Sequence, residues 1–515
     1  MKCRAWQLCV YDEQSSHKMT VPLPRYEVAI YFIIYGVFLL YGIANIFSLR
    51  NDLIANTQYS FTSGWSIIGR KRDDSNDEWE NFKLFLWRNF SWYFAHISLT
   101  EACRFLEPTL IPVAHSVLGL AFILATYQTQ TVLTILCQLL TFYLVSRYFR
   151  KSIVWALACI WIAVINILKN SSKLYQHDTY VEYYEMLIAL SWCILKCLSF
   201  CLSKIRHRDD DKLIGSFNLV NYFGYCLYFP TFICGPFMIY ERYKGCISNS
   251  VATIEELEYR AKSLLRNGAR IIGWLLFTDF ALHFIYVFYL EQNITVVKSL
   301  NPWALYGFGY LMGQFFHCHY VVSYGIGITM AKFDRMDPPS QPKCIGRIHF
   351  YSDMWKYFDQ GLYEFLFIYI YCSLCSKTGP RYKKVFASIV TFIFIFIWHG
   401  FYDYVLIWTV LNFVCLSVEN VFKYFVKTAF YANLVRNFNF KNQKRIYALI
   451  GSQIFIPSSI SNFYFFAGVD VGNYFMQRTY QSGLFNYLAL SVCCYCIFQS
   501  AEFINEYDSH GIRSV

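Results

Sequence analysis

The stretch that decides the fold spans residues 109–146, TLIPVAHSVLGLAFILATYQTQTVLTILCQLLTFYLVS, and contains no Lys, Arg, Asp or Glu. A helix rises 1.5 Å per residue, so about 20 residues cross the hydrocarbon core of a bilayer. The stretch is long enough for one long tilted helix, or for two short helices joined near Gln128 to Gln130. Backbone groups in lipid must be paired within their own segment, which favours helices for such runs.

The same reading extends outward. Residues 28–49, 152–168, 185–200, 299–331, 361–371, 385–402, 404–418, 446–469 and 479–501 are further apolar candidates. Lys196 weakens one of them, and Arg88, Glu101 and Arg104 interrupt residues 85–106, which read as a span with a polar interior face or as a surface helix. Residues 254–270 mix charge and apolar groups at helical spacing and read as an interfacial helix. Residues 271–290 read as a separate span carrying Asp279 and His283, four apart and so on one face. Residues 213–240 are uncharged but hold Pro230, Gly235 and Pro236, which predicts a break or re-entrant turn at residues 228–236. The total is about nine to twelve membrane elements. The expected fold is an all-α polytopic membrane protein, with residues 1–515 as one domain. Residues 1–27 form an N-terminal tail, 51–79 a polar loop and 334–420 the region richest in chemistry.

Composition agrees. Of 515 residues, 56% are hydrophobic and 15% charged, against about 25% charged in soluble domains. Aromatics make up 20%, and Tyr and Trp settle at headgroup level in a bilayer. The net charge of +11 sits mostly in short segments between apolar runs. That placement suits anionic lipid surfaces and no nucleic acid. The 19 cysteines are scattered, many inside apolar runs, and read as small hydrophobes rather than a disulfide scaffold.

Within residues 334–420 three groups can carry chemistry. His399 ends an apolar run, where an ionisable side chain is costly unless used, and neutral imidazole can act as a general base. Asp359 lies four residues from Trp355, near an apolar helical face. It either caps a helix, pairs with Lys356 or Arg347, or orients a histidine. Cys344 follows a Pro-rich polar loop and reads as a nucleophile, a metal or haem ligand, a lipid-attachment site or a small residue. No second cluster at ligand spacing supports a zinc site. His283, His317 and His319 lack the repeated histidine boxes of a di-iron oxygenase.

The motifs Trp398-His399-Gly400 and Trp355-Lys356-Tyr357-Phe358-Asp359 resemble the membrane-bound O-acyltransferase family. Within it, the chain is similar to the Hedgehog N-palmitoyltransferase subfamily of insects over most of its length. Tyr228-Phe229-Pro230, the block from Cys344 to Trp355, Tyr404 to Asn412 and Ile454-Phe455-Ile456-Pro457 also carry the resemblance. It implies a helical bundle with re-entrant segments around a central tunnel. It further implies transfer of palmitoyl from palmitoyl-CoA to the N-terminal cysteine amine of Hedgehog, and also onto Spitz-type epidermal growth factor ligands. His399 and Asp359 match the catalytic pair. Trp355, Lys356, Trp398 and Asn412 become substrate or tunnel candidates, and Cys344 matches a structural haem ligand. Vertebrate relatives have arginine where this chain has Lys356, which removes any bidentate contact there. The resemblance implies a multi-pass protein of the endoplasmic reticulum or Golgi membrane. The alternatives are acylation of a hydroxyl on another peptide or lipid, and a non-catalytic homologue. A transporter would show inverted repeats, which are absent from the sequence.

Overall fold

A computed structural model describes residues 23–56, 61–148, 150–170, 180–209, 215–247, 253–376 and 379–511. Most of the expected N-terminal tail lies outside the described residues. Among the described residues the secondary structure is helical, apart from one isolated bridge between Thr62 and Arg72. The principal helices before the broken segment are α1 (Arg25–Ser48), α2 (Asp77–Arg88), α3 (Phe90–Leu106), α4 (Ile111–Thr126), α5 (Thr129–Val145), α6 (Lys151–Asn170) and α7 (Tyr180–Arg206). After it come α8 (Ile254–Ala281), α9 (Pro302–Phe333), α10 (Tyr351–Tyr357), α11 (Gln360–Phe365), α12 (Arg381–His399), α13 (Asp403–Phe425), α14 (Phe440–Gln481) and α15 (Leu484–Gly511).

Nine helices among the described residues are long and apolar enough to cross a membrane. Their outer faces are apolar: on α1, Ile33, Val37 and Leu40 are exposed while Val28, Gly42 and Ile46 face inward. Such a surface suits lipid and would be unfavourable in water. Helix α9 is not among those nine and is buried along most of its length. A helix enclosed by protein needs no lipid-compatible surface, so its Gly, Tyr and His residues are tolerated. Gly42 of α1 and Gly307 of α9 let the two backbones meet; a Cβ on Gly42 would lie 2.9 Å from Gly307 Cα.

The uncharged stretch 109–146 resolves into two helices, α4 and α5, parted at Tyr127 and Gln128. The polar interior face expected of residues 85–106 is present on α3, where His96, Glu101 and Arg104 are buried. The break expected at residues 228–236 is also present. A short helix, Leu219–Cys226, gives way to a 3-10 turn, Phe229–Thr231, and then to non-helical backbone up to the helix Tyr240–Cys246. Lys196, buried in α7, explains how this break survives at depth. Its ammonium donates to Cys226 O at 3.3 Å and Thr231 O at 3.2 Å, supplying donors that the interrupted helix lacks.

Residues 254–270 and the start of 271–290 are not two separate elements. They make one 28-residue helix, α8, ending at Ala281. In its charged half Arg260 is buried and forks onto both Glu101 oxygens at 2.7 Å, while Ile254, Tyr259 and Leu265 are exposed. Residues 57–60 of the polar loop 51–79 lie outside the described residues, and residues 61–79 are held in place by hydrogen bonds. Arg72 donates to Asp279 Oδ1 at 2.6 Å, Trp65 Nε1 to Asp279 Oδ2 at 2.9 Å, and Trp65 N to His283 Nε2 at 2.8 Å. Asp279 and His283 share a face as read, and that face grips the loop.

A second polar lock lies where α9 ends. Asp334 Oδ1 accepts from Arg104 Nη2 at 2.6 Å. Its Oδ2 receives Tyr228 Oη at 2.9 Å and faces His115 Nε2 at 2.9 Å and His96 Nε2 at 3.1 Å. The two imidazoles and the carboxylate are close enough to hold a metal ion. Each of these atoms nevertheless already has a protein partner, and the Arg104 cation balances Asp334. A buried carboxylate so paired ties α3, α4, the broken segment and the end of α9 together.

Candidate active site

Helix α12 is built from an apolar run, Phe392-Ile393-Phe394-Ile395-Phe396-Ile397, and carries His399 as its last residue. Gly400 stops it with φ of 132°, a conformation open to glycine. The chain turns and returns as α13, so His399 sits at the tip of a helical hairpin. Trp398 Nε1 donates to Ser191 O of α7 at 3.1 Å. Ser191 lies about 16 Å along α7 from Tyr180, which places the histidine against the interior of the bundle.

The imidazole stands among aromatic rings. Centroid distances are 4.9 Å to Trp398, 5.5 Å to Trp408 and 5.4 Å to Phe465. Neither ring nitrogen has a hydrogen-bond partner among the described residues, and the side chain is part-buried rather than sealed. A neutral imidazole so placed is free to accept a proton from a ligand.

Trp355, Trp398 and Asn412 gather in the same layer. Trp355 lies 5.7 Å from Trp408 and donates its Nε1 to Asn412 Oδ1 at 3.1 Å. Asn412, fully buried on α13, also accepts from Tyr351 Oη and donates to Trp408 O. Tyr351 reaches Asn462 Oδ1 at 3.0 Å. Beyond Tyr351 and Asn462 opens an apolar cavity of about 190 Å³, bounded also by Tyr35, Tyr310, Ile345 and Gly346.

Asp359 takes the capping option of the three open to it. Its Oδ1 accepts from Leu362 N at 3.0 Å at the start of α11, and its Oδ2 accepts from Tyr324 Oη at 2.8 Å. Among the described residues it forms no ion pair with Lys356 or Arg347 and no hydrogen bond to His399. Arg347 instead bonds Asp508. Lys343 donates to Asn505 Oδ1 at 2.7 Å, so both cations stitch their loop to α15. Lys356 Nζ lies 5.2 Å from the Tyr357 ring and has no anionic partner among the described residues. Between Asp359 and His399 runs an aromatic wall. Tyr324 meets Tyr320, Tyr320 meets Phe358, Phe358 meets Phe316 and Phe316 meets Phe466, at 4.6 to 5.6 Å. Phe465, beside Phe466, then meets His399.

Cys344 is half-buried and free, just before the 3-10 turn Ile345–Arg347. The next two residues, Ile345 and Gly346, line the apolar cavity together with Tyr35 and Tyr310.

Tyr324, Trp408, Phe465 and Asn462 escaped the sequence reading as site residues. Each is an ordinary aromatic or amide in an apolar helix, and only the packing gives it a role. Trp408 fell inside a stretch that resembled the family, which was the one available signal.

Residues 109–461 match the membrane-bound O-acyltransferase family, MBOAT. The protein-cysteine N-palmitoyltransferase Rasp of Drosophila melanogaster is 36% identical over 94% of this chain and 96% of its own length. The protein-cysteine N-palmitoyltransferase HHAT of Mus musculus is 22% identical, over 81% of this chain and 84% of its own. A mouse HHAT-like protein is 24% identical over 84% of this chain and 85% of its own.

Proposed function

The chain belongs to the membrane-bound O-acyltransferase family, and from that premise we propose that it is a protein-cysteine N-palmitoyltransferase using His399 as its base. The observation that carries this reading is the His399 imidazole, unpartnered among the described residues, in an aromatic layer within the bundle.

Palmitoyl-CoA is a thioester and needs no protein nucleophile. The free amine of an N-terminal cysteine attacks the thioester carbonyl and forms the C–N bond. His399 takes the proton released by the amine. The C–S bond then breaks and the proton passes to the CoA sulfur, leaving an amide and free CoA. Asp359, held by Tyr324 and Leu362, positions the reacting groups from the far side of the aromatic wall rather than orienting the imidazole. Trp355, Trp398 and Asn412 shape the apolar surface that takes the acyl chain, worth about 0.8 kcal/mol per buried methylene. Lys356 is the cation available to CoA phosphates.

Cys344 also fits the structural haem of the family resemblance. Its neighbours Ile345 and Gly346 line the apolar cavity, and Gly346 lets the Tyr35 phenol approach closely; a Cβ there would lie 2.8 Å from Tyr35 Oη. Haem bound there through the Cys344 sulfur would brace α1, α9 and α14 and take no part in transfer. The protein substrate is Hedgehog, with Spitz-type ligands as further acceptors. The enzyme works in the endoplasmic reticulum or Golgi membrane, where such secreted substrates mature.

The test uses purified protein in detergent with labelled palmitoyl-CoA. Two Hedgehog N-terminal peptides are offered, one beginning with free cysteine and one N-acetylated. Label on the free-amine peptide alone is expected. Label on neither peptide overturns the substrate assignment.

A further inference from the structure

The end of a helix leaves its last carbonyls without partners. At the end of α12, Phe396 O is taken by Gly400 N at 3.0 Å, which leaves Ile397, Trp398 and His399. Two of these three carbonyls are met by one neighbouring helix. Asn166 Nδ2 of α6 donates to Ile397 O at 3.0 Å, and Lys169 Nζ donates to His399 O at 2.9 Å. Asn166 and Lys169 are three residues apart and so lie on one face of α6.

Lys169 forms no salt bridge with a carboxylate among the described residues. Its charge is met by the negative end of α12, where a cation is favoured. The rings packed against His399 belong to Trp398, Trp408 and Phe465, and none carries a charge.

We infer that Lys169, with Asn166 beside it, is a positioning residue for His399: the two side chains cap the helix that ends at the histidine and hold the orientation of its last turn. The inference rests on the reading of His399 as the base. The cap does not require Lys169 to touch substrate.

Three variants test the cap. Lys169→Arg keeps a cationic donor, Lys169→Gln keeps a neutral donor, and Lys169→Met removes the donor. Each is made in the full chain, checked for yield and a monodisperse elution profile, and assayed with labelled palmitoyl-CoA and the free-cysteine peptide. His399→Ala is assayed in parallel. Lys169→Met is expected to lower kcat by about tenfold with KM for either substrate little changed. Lys169→Gln keeps more of the rate, and Lys169→Arg restores it. Wild-type kcat in Lys169→Met, with His399→Ala inactive, overturns this inference and leaves the base assignment standing. Full activity in His399→Ala overturns the base assignment itself. Aggregation of all three variants, Arg included, makes Lys169 structural and also overturns the inference.

Discussion

Tyr324 Oη donates to Asp359 Oδ2 at 2.8 Å, which joins the long interior helix α9 to the start of α11. Helix α9 brings the phenol, and the chain reversal between α10 and α11 brings the carboxylate. A hydrogen bond to a charged group is worth about 1.5–3 kcal/mol. Tyr324→Phe therefore frees the Asp359 side chain, and kcat for palmitoyl transfer falls by about tenfold or more. Steady-state kinetics on the purified variant check this; an unchanged kcat removes Asp359 orientation from the mechanism.

His399→Ala leaves the aromatic layer in place but removes the group that can take the amine proton. Turnover falls by about 10²–10⁴ while yield and thermal midpoint stay near wild type. Single-turnover labelling of the free-cysteine peptide measures it, and a variant of normal rate rejects the role.

Asn412 accepts from both Trp355 Nε1 and Tyr351 Oη. Asn412→Leu strands the Trp355 donor inside the protein, while Tyr351 keeps Asn462 as an acceptor. The loss is about 1–3 kcal/mol for the unsatisfied group, and it is read as a lower thermal midpoint together with slower transfer. A midpoint equal to wild type shows that the Trp355 indole finds another acceptor.

Asp334→Asn removes the nearer counter-charge of buried Arg104 and leaves it Glu101, at 3.3 Å and shared with Arg260. Breaking a buried pair in this way costs about 3–5 kcal/mol. Folded yield in detergent is expected to fall sharply, and added zinc should not restore it, because hydrogen bonds hold the cluster. Rescue by zinc identifies His96, His115 and Asp334 as a metal site instead.

Cys344→Ala removes the sulfur beside the apolar cavity. On the proposed haem assignment, haem absorbance is expected in purified wild type and not in the variant, which also loses part of its thermal stability and largely keeps transfer by the remaining folded protein. Equal haem content in wild type and variant excludes Cys344 as the ligand.

Much of this molecule was legible before any coordinates. Uncharged runs of sufficient length declare membrane helices, because the cost of burying charge in lipid depends on local composition. The prolines and glycines of residues 228–236 declared the break, because they act on their own backbone. His399 was visible as an ionisable group closing an apolar run. Partners were not legible. Charge in residues 254–270 suggested a separate interfacial helix, but Arg260 meets Glu101 inside the protein, and α8 continues unbroken. Asp359 could have turned to Lys356, Arg347 or His399, and it turns to Tyr324, which lies on a different helix. Lys169 and Asn166 carried no signal, because capping a distant helix leaves no local pattern. The sequence by itself determined which segments enter the bilayer and which residue types can do the chemistry, since hydropathy and backbone freedom are local. Only the tertiary structure decided which of those residues face one another, since hydrogen bonds and ring contacts depend on how the helices pack.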